Sequence, residues 1–212
     1  MPQEPSPTAS ADEYKSAAIL KAAFVVRERI FSLRGQIISG ANDIEGSIDL
    51  VLSMYFVQPE STRRFSTWIL SRIPLSAKID VLEDVTAELG LSDHVQDALR
   101  RLRRASDLRN DLAHSTVTFN TTVPAISEAT MEEFAQWHSH RVTRRGVRDA
   151  RIEADHLARQ AIFVDAVGVD VMRILAALLM RRQGVDAEAA FADFDRLNAK
   201  LLRVTVDLEA SL

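Results

Sequence analysis

The feature that most constrains this chain is a stripe of apolar residues. Ile37, Ala41, Ile44, Ile48, Val51 or Leu52, and Tyr55 recur at steps of three or four positions. That is the period of an α-helix with one buried face. Gly35, Gly40 and Gly46 weaken the same segment by propensity, so its helicity must come from packing. Composition points the same way. The chain has only 7 Gly and 6 Pro in 212 residues, and Ala, Leu, Arg and Glu are abundant.

The length suits one domain with a sizeable core and is short for two. Residues 1–11 read as a disordered lead-in with no basic start and no long apolar run, unlike a secretory signal. Residues 12–33 continue the helical spacing through Ile19, Ala23, Val26 and Ile30, and "FVQPES" (56–61) ends the striped helix. A short helix follows over about 64–71, then another from Pro74, a residue suited to a helix start. Gly90 stops that helix, and Ser92 caps the next, which runs toward His114. The texture then changes. "STVTFNTTV" and "FAQWHSHRVTRRGV" are β-branched and polar, which predicts a two-stranded excursion at about 115–150. An apolar-rich helix covers 151–182 and Gly184 interrupts it. Phe194, Leu197, Leu201, Val204 and Leu208 form a heptad-like seam, against either the rest of the domain or a second subunit. The expected fold is a mainly α helical bundle over 12–212, with a β-hairpin insertion.

Composition excludes several chemistries. With no cysteine, disulfides, thiolate zinc sites and thiol nucleophiles are ruled out, and a reducing cytoplasm fits. The apolar run "ILAALLM" is too short to span a bilayer, so no membrane partner is expected. The net charge of −4 argues against general nucleic-acid coating. Even so, Arg100, Arg101, Arg103, Arg104 and Arg109 fall within ten residues, and Arg141, Arg144, Arg145, Arg148 and Arg151 within eleven. Such patches can hold a phosphate on an acidic protein. His138 and His140 have possible zinc spacing without an evident third ligand, so no metal and no other cofactor is expected. The second basic run is either a solvated edge or an RNA-contacting one, with Trp137 and Phe119 available to stack bases or to pin a hairpin. Glu132 and Glu133 read as a solvated helix start.

The chemistry concentrates in "ASDLRNDLAHST" (105–116). On a helix turning about 100° per residue, Leu102, Ala105, Leu112 and Ala113 lie within about 60° of Arg109. Arg109 therefore points along the apolar stripe, where a charge needs a partner. Glu45 and Asp49, at the edge of the earlier stripe, are the candidates. Asn110, His114, Arg103 and Asp107 gather on another side. Two readings stay open. Arg109 either fixes helix register through a carboxylate while His114 favours the negative end of the helix dipole, or the group is an active site.

"LRNDLAH" resembles the signature of the HEPN superfamily of helical-bundle proteins, an Arg and a polar residue followed at short spacing by a His. Here these are Arg109, Asn110 and His114. The order "GANDIEGSIDLVLSMYF", "SAKIDVLEDV", "LRNDLAH" is similar to that of mannitol-repressor-like members, over roughly residues 30–115. The resemblance implies metal-independent RNA cleavage by a homodimer whose two motifs share a cleft. A histidine moves the proton of the attacking ribose 2′-hydroxyl, and a guanidinium braces the phosphorane. Asn110 would orient the phosphate or the imidazole. Arg103 and Arg104 would hold flanking phosphates, and the product would be a 2′,3′-cyclic phosphate. It also implies a toxin or defence role with a cognate antitoxin, or else a non-catalytic module that binds a nucleotide, RNA or a protein. Toxin members silenced by adenylylation carry a tyrosine two residues after the histidine, where this chain has Thr116.

Overall fold

The computed structural model describes residues 11–119, 137–143, 146–186, 188–189, 191–192 and 194–196. Helices dominate them: α1 (Ala11–Phe56), α2 (Thr62–Trp68), α3 (Leu75–Glu88), α4 (Ser92–Ala113) and α5 (Ala154–Arg182). Single turns of tighter 3-10 helix, Pro59–Ser61 and Leu70–Arg72, flank α2. The two apolar stretches before residue 56 form one helix of 46 residues. The glycines do not break it. The seam at 197–208, the N-terminal lead-in and the Glu132–Glu133 pair lie outside the described residues.

The chain divides into two compact units. The larger comprises residues 34–113 and 158–212, and its core is the stripe expected from sequence. Ile37, Ala41, Ile44, Ile48, Val51 and Leu52 of α1 are all buried, as are Ile79, Leu82 and Val85 of α3, Leu99, Leu102 and Ala105 of α4, and Val167, Val171 and Ile174 of α5. Gly40 has a use that propensity hides. A Cβ there would sit 3.0 Å from Val164 Cγ1, so its absence lets α1 and α5 approach closely. Gly46 has nothing within 4 Å of such a Cβ.

The connection from α3 to α4 shows how local chemistry sets the hairpin. Gly90 takes φ +71, open to glycine without a Cβ clash. Its N–H donates to Ala87 O at 3.0 Å and Leu91 N–H donates to Thr86 O at 2.8 Å. This Schellman arrangement satisfies carbonyls the helix leaves unpaired. Leu91 is fully buried and anchors the turn. Gly184, at φ +80, closes α5 in the same way, with Val185 N–H on Met180 O at 3.0 Å.

The smaller unit comprises residues 1–33 and 114–157. Three strands follow α4, where two were expected: β1 (Thr116–Phe119), β2 (Trp137–Thr143) and β3 (Gly146–Ile152). They pair antiparallel in the order β1-β2-β3, with Val117 opposite Ser139 and Ser139 opposite Ala150. His138 pairs in register with Thr118 and Arg151, and His140 with Thr116 and Asp149. Arg141, Arg148 and Arg151 of the second basic run belong to these strands. Arg144 and Arg145 lie outside the described residues. On α1, Ile30 is buried while Phe24, Val25 and Phe31 are exposed. Arg27 sits 5.6 Å and 5.5 Å from the two phenylalanine rings.

Candidate functional site

Arg109 lies one turn before the end of α4 and is half-buried, as its place on the apolar face dictates. Its partners are not carboxylates. Nη1 donates to Asn110 Oδ1 at 3.1 Å, and Nη2 donates to Asn42 Oδ1 of α1 at 3.4 Å. Among the described residues no Asp or Glu pairs with it. Amide oxygens accept hydrogen bonds from a guanidinium without cancelling its charge. The end of α4 is fixed from the same side. Arg34 of α1 donates to the Leu112 carbonyl, one of the last carbonyls that a helix leaves without an internal partner. His114 is the residue after α4. It is exposed and precedes the buried Ser115.

Glu45 and Asp49 do not hold Arg109. Both face Lys78 of α3, whose Nζ is 2.7 Å from Glu45 Oε1 and 2.7 Å from Asp49 Oδ1. The Lys78 side chain is 1% exposed, and a lysine buried so deeply has to be paired. Burial alone would lower its pKa, but the pairing with Asp49 and Glu45 outweighs that and raises it above 10.5. The acidic edge of α1 thus pairs with the α3 cation and not with Arg109. Sequence did carry a signal for it. Lys78 precedes Leu82 by four residues and Val85 by seven, on the buried face of α3.

Arg103 is likewise taken. It donates to Asp80 at 2.9 Å and Glu83 at 2.6 Å, both on α3. Its hydrogen bonds to Glu83 and then Asp80 outweigh desolvation and raise its pKa. With two carboxylates on it, Arg103 is poorly placed to hold a flanking phosphate. Arg104 is exposed, and its guanidinium carbon lies 5.5 Å from the Phe163 ring centroid, a cation–π contact that leaves its charge intact. Arg101, a member of the same basic run, makes a two-pronged pair with Asp170 of α5, Nε to Oδ2 at 2.8 Å and Nη2 to Oδ1 at 3.1 Å. Asp170 is 1% exposed.

The α4 arginines therefore sort by partner. Arg100, Arg101 and Arg103 meet carboxylates, while Arg109 is bracketed by amides. The structure brings Arg109 and Asn110 together, adds Asn42, and assigns Glu45, Asp49 and Arg103 to other work. Comparisons with protein-family models, with curated proteins and with solved structures find no match for the chain. No helix among the described residues is long and apolar enough to cross a membrane.

Proposed function

We propose that this chain is a metal-independent endoribonuclease of HEPN type, acting as a homodimer on RNA. The observation that carries this reading is the Arg109 bracket, a guanidinium held in place by Asn42 and Asn110 with its charge still available. A phosphate can take two N–H donors from such a group at once. In the proposed reaction His114 removes the proton of a ribose 2′-hydroxyl and the 2′-oxygen attacks the adjacent phosphorus. Arg109 stabilises the negative charge on the phosphorane oxygens, and Asn110 orients the phosphate. The bond to the 5′-oxygen breaks, and an imidazolium returns the proton to it. The products are a 2′,3′-cyclic phosphate and a 5′-hydroxyl. A toxin or defence role under control of an antitoxin is the biological setting in keeping with that chemistry.

The same bracket also favours a second reading. A guanidinium held by amides binds a phosphate without any proton transfer, as a nucleotide- or RNA-binding module would. Incubating a mixed RNA with the purified chain in EDTA, beside His114→Ala, separates the two. Cleavage with cyclic phosphate ends by the unaltered chain alone supports the ribonuclease. RNA binding without cleavage by either protein, both folded, replaces it with the binding module.

A further inference from the structure

The C-terminal end of α1, helix α2 and the first turns of α3 surround a cavity of about 320 Å³. Leu52 and Phe56 come from α1, Phe65 from α2, and Val81 from α3, with Leu70 between them. It is a pocket partly open to solvent, and its lining is almost wholly apolar. It reaches the size range of small-molecule sites, roughly 300–1,000 Å³. Lys78 is the one charged residue in the wall. Its ammonium lies between Glu45 and Asp49, so the three side chains together carry a net negative charge. An acidic ligand head would meet that excess charge. A basic head would leave water for a wall in which no carboxylate is exposed to it.

The cover over the cavity is weakly held. Neither α2 nor the turn before it contributes a buried residue. Phe65 is half-buried, Trp68 and Ile69 are exposed, and Leu70 anchors the segment. Phe56, at 51% exposure, stands at the rim. A segment with so few buried apolar contacts opens at low cost.

We infer that this cavity binds an uncharged, apolar small molecule that enters beneath α2. The site is separate from Arg109 and does not depend on ribonuclease activity. The test titrates the full chain with two fluorescent probes. N-phenylnaphthylamine is neutral, whereas anilinonaphthalene sulfonate has nearly the same rings plus a fixed negative charge. The neutral probe is expected to bind saturably at one site, and the sulfonate about tenfold more weakly or worse. Val81→Trp fills the cavity from α3 and is expected to weaken the neutral probe about tenfold while circular dichroism stays unchanged. Should that variant fail to fold, Phe65→Asp tests the same wall from a helix with no buried residue, with the same expected loss. Three results overturn the inference: no saturable binding of the neutral probe, binding unchanged in a folded cavity variant, or a sulfonate that binds as tightly.

Discussion

Lys78 and Arg109 are both cations on the apolar faces of their helices, and both are held by side chains of α1. They differ in the chemistry of the grip. Lys78 has two carboxylates at 2.7 Å; Arg109 has two amide oxygens at 3.1 Å and 3.4 Å. The first arrangement cancels a buried charge and closes the site to further anions. The second fixes a side chain and leaves its charge for something else. A charge paired this fully serves the fold, and one positioned without neutralisation is suited to a ligand.

The largest expected effect breaks the first site. Lys78→Met leaves Glu45 and Asp49 facing each other without their cation, and denaturant unfolding should show a loss of about 3–5 kcal/mol. Arg109→Met removes no partner from a buried carboxylate and should cost about 1 kcal/mol. Equal losses at the two positions would erase the distinction. Next comes a conversion of one site into the other. Asn42→Asp sets a carboxylate beside Arg109, which should lower the affinity for RNA about tenfold at low salt, with stability unchanged or slightly raised. Binding that does not weaken would mean that Arg109 does not contact the phosphate.

A pH titration sharpens the contrast further. Lys78 holds its proton above the ordinary value of 10.5, so the folded chain binds that proton more tightly than the unfolded chain. The resulting stability is complete below that value and is lost as pH rises through the folded pKa. Unfolding midpoints of the unaltered chain should fall beyond about pH 10.5, with a shallower fall in Lys78→Met. The smallest effect concerns the shared helix. Gly46→Ala adds a Cβ that meets nothing and should raise stability by about 0.5–1 kcal/mol. Gly40→Ala, whose Cβ would press on Val164, should gain less.

The stripe from Ile37 to Leu52 was legible because a 3.6-residue period is a local property, and packing confirms each position. Gly90 and Gly184 were legible for the same reason, since a left-handed turn needs its residue at the turn itself. The partners of the charged residues were not. Arg109's place on the apolar face could be read from a helical wheel, but so could that of Lys78. Which of the two meets Glu45 and Asp49 depends on how α3 and α4 sit against α1, which spacing within one helix does not encode. Arg101 shows the same limit, because its partner is 69 residues away. Asn42 was passed over because a neutral amide on an exposed helix position carries no signal until the guanidinium it holds is in place.

The bond between Arg101 and Asp170 has a consequence for how the protein is made. The α3–α4 hairpin closes through near neighbours in sequence and can form as soon as both helices leave the ribosome. Arg101 then waits for Asp170, which has not been synthesised. At typical elongation rates the intervening residues take roughly 3–14 s. Through that interval the nascent helix pair lacks the Asp170 carboxylate that α5 brings to Arg101. Helix α5 brings Asp170 together with Val167, Val171 and Ile174, so this carboxylate and the apolar cover arrive in one step. A chain released before that point would be a natural client for chaperones.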